Sequence, residues 1–571
     1  MVFKAYNEWL KNATADVDLT NELMNIKGNE EEISDRFYKN LEFGTAGLRG
    51  VIGAGTNRMN IYTVGAATQG IAEYVNSITP NGKVAIAYDS RIKSDLFARH
   101  AASVFAANGI TVYLYPELAP TPMLSFAVRY LKCDAGAILT ASHNPSKYNG
   151  YKAYGPDGCQ LGLKASEYVL SIIEKVNIFT DVKTCDFDEA VKNGNIKFVG
   201  EDVVEAYLNA VKKQSVADSS YNFNDLKVIY TPLHGAGNKP VRAILNRIGV
   251  TNVVVVPEQE LPDGNFPTAP YPNPEIREAF NCALELAKKE NPDLLLATDP
   301  DSDRVGIAVK NNDDFCLMSG NDVGALLLNY LLERRTDLGT LPKNPVAVKT
   351  IVSTNLVNAI AADYGCELKE VLTGFKFIGE QVLLLEQRGE ENRFIFGFEE
   401  SYGYVAGDYV RDKDAVVASM LICEMCCYYK AKGMNLIEVL DSLYKKYGYF
   451  YSCQKSITCE GQNGMEKMAD AMKNLRENPP SEISGFKTLN VLDYSTSVNT
   501  NLATNETSTI NLPKSNVLSY VLDGGAGAIV RPSGTEPKIK IYISSVENNL
   551  ESAIANAKRI GDDMEKSLNL Q

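Results

Sequence analysis

The sequence is poor in the residues that build disulfide scaffolds and zinc sites. It has 3 histidines and 1 tryptophan, and its 11 cysteines are odd in number and scattered along the chain. Scattered cysteines of this kind indicate reduced thiols in a core, not a disulfide framework. The one close group, Cys423, Cys426 and Cys427, lies in an apolar helical stretch without a second Cys or His pair, which excludes a zinc site.

Long apolar runs and positive charge are also scarce. No run of 18 apolar residues occurs, and the first residues, MVFKAYNEWLKNATAD, predict a short amphipathic helix and not a signal peptide. Lys and Arg total 57 against 71 Asp and Glu, a formal net charge of -14, which repels phosphate backbones and anionic lipid. We therefore expect a soluble, cytoplasmic protein with no nucleic-acid and no membrane partner.

The chain of 571 residues alternates predicted strands with predicted helices. The predicted strand KVAIAYDS is followed by a helical stretch and by the predicted strand ITVYLY, and further predicted strands are DLKVIYT, TNVVVV, PDLLLATD and NPVAVKT. This alternation predicts α/β domains with mixed, mostly parallel sheets. Breaks in this pattern predict α/β domains at 1–205, 206–318 and 319–448 and a smaller C-terminal α+β domain at 449–571. Ligands bind such sheets at loops beyond the carboxyl ends of strands, so polar loops there are candidate sites.

The first such loop, TASHNPSKYNGYK, presents Ser142 and His143 where a strand of small residues ends. An exposed serine hydroxyl with an adjacent histidine and with Lys147 and Lys152 downstream suits a nucleophile that carries phosphate. A plain Asn-Pro turn remains the structural alternative.

The second loop, DPDSDR, places Asp299, Asp301 and Asp303 at the mouth of a buried strand. Carboxylates this close repel each other unless a cation lies among them, and hard oxygen ligands suit Mg²⁺. The loop lacks the glycine and glutamate of an EF-hand. An aspartyl-phosphate phosphatase and a solvated acidic loop remain open.

The third loop, GFEESYGYVAGDYVRDKD, supplies Glu399, Glu400 and Ser401 between glycines, followed by Arg411 and Lys413. Paired acids and a hydroxyl are suited to vicinal sugar hydroxyls. Alone, the pattern fits a surface turn equally well.

The fourth loop, RPSGTEPK, places four residues in a turn between strands: Arg531, Ser533, Gly534 and Thr535. A bidentate arginine, two hydroxyls and backbone amides opened by glycine form a phosphate cradle that needs no helix. Ser-Gly turns are common, so an ordinary turn is the alternative.

Gly-x-Gly pairs such as Gly53 with Gly55 and Gly235 with Gly237 do not complete G-x-G-x-x-G, and no Walker sequence occurs. These absences exclude the dinucleotide-binding fingerprint and the P-loop. The sequence alone assigns the four glycines no role.

In this order the four loops resemble the motifs of the α-D-phosphohexomutase superfamily. FGTAGLRG, TASHNP, DPDSDR, TGFKFIGE, GFEESYG, RDKD and RPSGTEPK all match, and together they extend over almost the whole chain. The opening FGTAGLRGVIGAGTNRMN is most similar to the phosphoglucomutase-2-like branch. The resemblance implies a heart-shaped arrangement of three related α/β domains and a smaller phosphate-binding domain around one central cleft.

The resemblance also implies roles for single residues. Ser142 would be the phosphoserine, and the three aspartates would hold Mg²⁺ with an oxygen of that phosphate. Lys152 would move protons, with His143, Arg49 and Lys413 as supporting cations. Residues of the later loops would bind the sugar phosphate: Arg304, Thr373, Gly374, Lys376, Glu399, Ser401, Lys413, Arg531, Ser533, Gly534 and Thr535.

The implied activity is a Mg²⁺-dependent interconversion of glucose 1-phosphate and glucose 6-phosphate, with glucose 1,6-bisphosphate as intermediate and activator. Phosphomannomutase, phosphopentomutase and glucose 1,6-bisphosphate synthase remain open, because they share every motif. A sugar-phosphate phosphatase would need neither the serine loop nor a second phosphate cradle, and a non-catalytic binding protein would not need three metal-holding carboxylates. We expect small-molecule sugar phosphates as partners and a monomer or weak homodimer.

Overall fold

The computed structural model describes residues 2–44, 47–312, 314–459, 464–533 and 538–570. By its internal contacts the chain divides into two compact units. The first unit comprises Met1–Gly320, Ile378–Gly397 and Ser401–Asn435, and the second comprises Asn321–Phe377, Phe398–Glu400 and Leu436–Gln571. Within the described ranges, no helix is both long and apolar enough to cross a membrane.

The N-terminal part of the first unit is an α/β domain with three leading helices, the first of which confirms the predicted amphipathic helix. Its helices are α1 Val2–Asn12, α2 Val17–Asn25, α3 Glu30–Phe37, α4 Ile61–Ile78, α5 Ser94–Ala107, α6 Thr121–Tyr130, α7 Leu163–Ile173, α8 Phe187–Lys192 and α9 Glu201–Lys212. Its strands are β1 Gly47–Val51, β2 Lys83–Tyr88, β3 Thr111–Leu114, β4 Ala135–Leu139, β5 Tyr148–Tyr154 and β6 Ile196–Phe198.

These strands form a sheet of order β1-β5-β4-β2-β3-β6. Strands β4, β2, β3 and β6 are parallel to one another, and β5 is antiparallel to both of its neighbours, β4 and β1. All five residues of β4 are buried, which is why this strand reads as an unbroken apolar run. Helix α4 begins at a capping box in which the Asn60 side chain accepts from the amide of Thr63. It buries Val64, Ile71 and Val75 completely, and each such side chain contributes about 1.5–3 kcal/mol.

The next domain has five strands in the order β11-β10-β9-β7-β8. Its elements are β7 Val228–Thr231, α10 Asn238–Ile248, β8 Val253–Val255, α11 Pro257–Glu260, α12 Asn281–Glu290, β9 Leu294–Thr298, β10 Val305–Asn311 and β11 Asp314–Met318, with short 3-10 turns at Phe223–Asp225 and Arg277–Phe280. Strands β7, β8 and β9 are parallel, and β9, β10 and β11 are antiparallel. This mixture confirms the predicted sheet type.

The third set of elements forms a four-stranded sheet of order β13-β12-β14-β15. The elements are α13 Gly320–Asp337, β12 Val346–Thr350, α14 Leu356–Asp363, β13 Glu367–Val371, α15 Phe375–Glu386, a 3-10 turn at Glu391–Arg393, β14 Phe394–Glu399, β15 Gly403–Val405, α16 Ala415–Ala431 and α17 Leu436–Tyr447. Helix α16 is the predicted apolar cysteine helix, and all its cysteines are buried as free thiols.

The C-terminal segment of the second unit folds into an antiparallel sheet with two helices. Its elements are β16 Tyr449–Thr458, α18 Gly464–Glu477, β17 Glu482–Ile483, β18 Phe486–Asp493, β19 Val498–Asn501, β20 Thr507–Thr509, β21 Leu518–Leu522, a 3-10 turn at Asp523–Gly525, β22 Gly527–Pro532, β23 Lys538–Glu547 and α19 Leu550–Ser567. The strand order is β16-β23-β22-β21-β18-β19-β20, and β17 pairs with β18. The predicted α+β character of this segment is confirmed.

Candidate active site

The serine loop connects β4 to β5 and turns sharply at Ser142, whose φ of 52° lies in the left-handed region. Such a backbone costs a non-glycine residue about 1–3 kcal/mol, so the surroundings must hold it. The Ser142 amide donates to Thr140 Oγ1 at 2.8 Å, and Thr140 Oγ1 donates to the buried Asp89 at 2.6 Å. The local strain is therefore offset by a hydrogen-bonded chain that leads back to β2.

The Ser142 hydroxyl donates to Asp299 Oδ2 at 2.9 Å and lies 3.3 Å from His143 Nδ1. The predicted exposure of this hydroxyl is wrong, because Ser142 is 3% exposed. The aspartate loop covers the serine, because the two loops meet in the first unit. The candidate nucleophile and the acidic cluster thus form one site.

Asp299, Asp301 and Asp303 bring one ligand oxygen each within 4.8 Å of one another. Their exposures are 0%, 0% and 1%, so the solvated-loop interpretation is wrong. Backbone amides of Asp303 and Arg304 donate to Asp299 Oδ1 at 3.1 and 2.9 Å. Among the described residues, the Oδ1 atoms of Asp301 and Asp303 have no hydrogen-bond partner.

Burial, and then the charges of Asp301 and Asp303, raise the pKa of Asp299 well above its usual value. Burial also opposes ionisation of Asp301, but Lys152 outweighs it, with the result that the Asp301 pKa is lowered. A buried cluster of hard oxygen donors with two unpartnered oxygens fits a divalent cation such as Mg²⁺ better than a softer metal. The cluster could therefore hold a metal ion.

Two lysines reach the aspartates. Lys152 Nζ, from β5, lies 2.6 Å from Asp301 Oδ2 and 3.2 Å from Asp303 Oδ2. Lys413 Nζ lies 3.2 Å from the same oxygen of Asp303. Burial lowers the pKa of Lys152, but Asp301 and Asp303 outweigh it and raise the pKa above its usual value. Lys152 therefore carries a proton beside the candidate metal site.

Further predicted residues lie around this cluster in the first unit. Burial, and then the cations Arg304 and Arg49, hold the pKa of His143 well below its usual value, so the imidazole is neutral. Arg49 Nη1 is 3.4 Å from Asn144 Oδ1 in the serine loop. Arg304 forms an isolated antiparallel bridge with Gly403, which brings the segment containing Ser401 beside the aspartate loop of residues 299–303.

Arg91 has a role that the sequence analysis missed. Its Nη1 donates to the carbonyls of Pro145 and Tyr148, each at 3.0 Å, and its Nη2 donates to the carbonyls of Ser142 and Asn144. One guanidinium thus holds the whole serine loop through backbone oxygens. The available signal was the charged Asp-Ser-Arg that directly follows the apolar strand KVAIAY, where a ligand loop is expected.

Thr121, at the start of α6, was also missed. Its hydroxyl donates to Asp301 Oδ2 at 2.8 Å and its amide to the Asp301 carbonyl at 2.9 Å. The aspartate loop is therefore held by a residue of the first domain as well as by residues of its own domain.

The glycine pair Gly235 and Gly237 now has a physical reason. A Cβ on Gly235 would lie 2.7 Å from the Pro300 carbonyl oxygen, and one on Gly237 would lie 2.7 Å from both Ser302 Oγ and Thr298 Oγ1. The loop after β7 passes directly beneath the aspartate loop, and side chains at positions 235 and 237 would push the aspartate loop away.

The second unit contains Glu399 of the third loop together with the predicted residues Thr373, Gly374 and Lys376, whereas Ser401 belongs to the first unit. The Gly374 amide donates to Glu399 Oε1 at 2.8 Å, and Gly374 adopts a φ of 122° that favours glycine. Thr373 Oγ1 is buried without a hydrogen-bond partner among the described residues. Lys376 Nζ lies 5.2 Å from the centroid of the Phe377 ring. Thr373, Gly374 and Glu399 thus form one local cluster.

The fourth loop also belongs to the second unit. Arg531 lies at the end of β22, opposite Lys540 of β23, and the Ser533 amide donates to the Lys538 carbonyl at 2.7 Å. Burial, and then the charge of Glu400, raise the pKa of Tyr542, which is hydrogen-bonded to Arg531. The predicted residues Gly534 and Thr535 lie outside the described residues.

Comparisons with known proteins agree with this arrangement. The chain matches phosphoglucomutase/phosphomannomutase alpha/beta/alpha domain I at residues 40–178, domain II at 205–312 and domain III at 319–447. A phosphoglucomutase of Staphylococcus saprophyticus is 37% identical over 523 residues, 91% of this chain and 93% of its own. One of Staphylococcus aureus is 40% identical over 515 residues, 90% of this chain and 91% of its own.

Among solved structures, the exocytosis-sensitive phosphoprotein parafusin of Paramecium, described as a phosphoglucomutase in its open form, has a TM-score of 0.68 and 18% sequence identity, with 94% of this chain and 96% of that chain covered. This likeness shows a shared fold. The matching domains and the curated relatives show that the chain belongs to the phosphoglucomutase/phosphomannomutase family.

Proposed function

We propose that this protein interconverts glucose 1-phosphate and glucose 6-phosphate, with mannose and pentose phosphates as further substrates. The observation that carries the proposal is the 2.9 Å hydrogen bond from the Ser142 hydroxyl to Asp299 inside a buried aspartate cluster. A phosphate on this serine would lie against the cluster that a divalent cation fits. The curated relatives named phosphoglucomutase support glucose as the sugar.

Mg²⁺ would be held by Asp299, Asp301 and Asp303 together with a phosphate oxygen on Ser142. When bound, Mg²⁺ would offset the repulsion among the carboxylates and draw charge from the phosphoryl oxygens. The Oδ1 atoms of Asp301 and Asp303, which accept no hydrogen bond from any described residue, support this assignment. Arg304 would neutralise further charge beside the aspartate loop.

The phosphoryl group would move from Ser142 to the free hydroxyl of the sugar monophosphate. The bond from phosphorus to the serine oxygen breaks, and a bond from phosphorus to the sugar oxygen forms. Lys152 would give its proton to the departing serine oxygen and take the proton of the sugar hydroxyl, with His143 and Arg49 in support. The resulting glucose 1,6-bisphosphate returns its other phosphoryl group to Ser142 by the same step in reverse.

Binding of the sugar would fall to Glu399, Ser401, Thr373 and Gly374. The buried hydroxyl of Thr373, which has no hydrogen-bond partner in the part of the chain that the structure describes, and the carboxylate of Glu399 are complementary to sugar hydroxyls. The phosphate that does not react would be held by the fourth loop: Arg531, Ser533, Gly534 and Thr535. Lys376 and Lys413 would bind the substrate as further cations, with Lys413 beside Asp303.

We further propose that the segments 1–205, 206–318, 319–448 and 449–571 act as functional domains, and that the protein works in the cytoplasm as a monomer or weak homodimer. Sedimentation at micromolar concentration tests the oligomeric state. A stable dimer or larger assembly would contradict that part of the proposal.

The test of function is phosphorus NMR with Mg²⁺, glucose 1-phosphate and a trace of glucose 1,6-bisphosphate. Glucose 6-phosphate should appear with wild-type protein and with the control Ser171→Ala, whose serine lies on the exposed face of α7. Ser142→Ala should give no turnover and no phosphoprotein by mass spectrometry.

Other outcomes would point to specific alternatives. Inorganic phosphate as the main product would indicate a phosphatase, and net accumulation of bisphosphate from an added phosphate donor would indicate a synthase. Mutase activity retained by Ser142→Ala would overturn the assignment of the phosphoserine.

A further inference from the structure

The RDKD segment of residues 411–414 contributes Lys413 to the acidic cluster, but the position of its ammonium group depends on a neighbour. Asp412 is 1% exposed, and its Oδ1 accepts from the Lys413 amide at 2.8 Å and from Lys413 Nζ at 2.9 Å. The Lys413 ammonium is therefore shared between Asp412 and Asp303, which it approaches at 3.2 Å.

The other oxygen of Asp412 is held from a distant strand. Tyr154, the last residue of β5 and 0% exposed, donates its hydroxyl to Asp412 Oδ2 at 2.7 Å. Gln160 Nε2 reaches the same oxygen at 3.3 Å. The short bond from Tyr154 therefore does most to orient the carboxylate and leaves Oδ1 for Lys413.

The backbone on both sides of Asp412 is fixed independently. Arg411 Nη2 pairs with Glu386 at 2.6 Å. Asp414 Oδ1 caps α16 by accepting from the Val416 amide at 2.8 Å and also accepts from the Tyr207 hydroxyl at 2.9 Å. Loss of the Tyr154 hydroxyl would thus change the carboxylate of Asp412 and leave the course of the chain in place.

We propose that Tyr154 and Asp412 are positioning residues that set the place of the Lys413 ammonium beside the acidic cluster and thereby the affinity for the sugar phosphate. This inference rests on the proposed function, because it uses the substrate-binding role of Lys413. Neither Tyr154 nor Asp412 needs to touch the substrate.

The chemistry of Tyr154 agrees with a fixed donor. Burial, and then the charge of Asp412, raise the pKa of Tyr154 well above its usual value, so the hydroxyl keeps its proton. A hydrogen bond to a charged group in a buried site is stronger than one between neutral groups. The carboxylate therefore has one preferred orientation.

The test is Tyr154→Phe, which removes one oxygen atom. The matched control is Tyr151→Phe on the same strand, because Tyr151 is also 0% exposed and, within the described ranges, its hydroxyl has only a 3.4 Å contact with Thr68. In Tyr154→Phe we expect the KM for glucose 1-phosphate to rise about tenfold, the size for one hydrogen bond to a charged group, while kcat changes by less than about twofold. The control should keep the wild-type KM.

Two further measurements decide between mechanisms. In a Lys413→Met background, Tyr154→Phe should have no further effect on KM, because the group it positions is gone. An unchanged KM in Tyr154→Phe, or an equal rise in the Lys413→Met background, would overturn the proposal.

Crystal structures of both tyrosine variants give a readout that needs no activity. In Tyr154→Phe the Lys413 ammonium should lie beyond hydrogen-bonding distance of Asp412, and in Tyr151→Phe it should stay bonded. An intact bond in Tyr154→Phe refutes the positioning role even if the wild-type protein has no mutase activity, whereas an inactive wild type alone refutes only the proposed substrate.

Discussion

Replacing Arg91 by methionine would remove the guanidinium that holds the serine loop and keep most of the length of the side chain. The guanidinium donates to four carbonyl oxygens of residues 142–148, and its Nε lies 3.5 Å from Asp89 Oδ2, with both side chains 0% exposed. Its carbon lies 5.0 Å from the centroid of the Phe266 ring. Methionine satisfies none of the polar partners.

The expected cost is that of breaking a buried ion pair by removing one partner, about 3–5 kcal/mol in the free energy of unfolding. The four hydrogen bonds are not added to this value, because bonds in one network are not additive. The serine loop would also lose its fixed course, so transfer of phosphate from glucose 1,6-bisphosphate to Ser142 should fall.

The assay is urea unfolding followed by fluorescence of Trp9. The sequence contains 1 tryptophan, so the fluorescence reports on Trp9 alone. The Trp9 side chain is 2% exposed and packs against Phe37 and Tyr62 in the first unit. A local probe is needed because a chain of several domains need not unfold in one step.

The control for this experiment is Arg99→Met, since the Arg99 side chain is 54% exposed. Its guanidinium carbon lies 4.0 Å from the centroid of the Phe187 ring, so its substitution should change the free energy of unfolding by no more than about 1 kcal/mol. If Arg91→Met were as stable as Arg99→Met and accepted phosphate at the wild-type rate, the reasoning about the serine loop would be wrong.

Three further predictions concern the first unit. Asp301→Asn should weaken Mn²⁺ binding measured by electron paramagnetic resonance at least about tenfold, because it removes one of the proposed anionic ligands, and unchanged binding would place the metal elsewhere. The hydrogen bond from Arg129, with Arg411 in support, lowers the pKa of Glu386 to about 2. The ionised group therefore stabilises the fold at neutral pH, and this contribution is lost as the pH falls from about 4.5 towards 2. Thermal unfolding of Glu386→Gln should show a lower midpoint than wild type at pH 7 and a smaller difference at pH 3. Gly237→Ala should lower Mn²⁺ affinity by crowding the aspartate loop, and wild-type affinity would show that the loop yields without cost.

Local patterns in the sequence were sufficient for most of the secondary structure. Strand β2, helix α5 and strand β3 follow the predicted alternation, because apolar periodicity depends on neighbours a few residues apart. The acidic loop could also be predicted as a candidate cation site from the sequence, because three aspartates directly after a buried strand need a counter-charge wherever the chain folds. The burial of Ser142 could not be predicted from the sequence, because it depends on a loop from another domain.

The sequence by itself determined the element types, the acidic cluster and the family motifs, all of which are contained in short segments. The tertiary structure alone decided which groups hold those motifs in place. Each of these hydrogen bonds joins residues far apart in the sequence. Arg91 donates to the carbonyl of Ser142, 51 residues away. Thr121 donates to Asp301, 180 residues away, and Tyr154 donates to Asp412, 258 residues away. No local pattern encodes such pairs, because they form only when packed sheets bring the ends of distant strands and loops together.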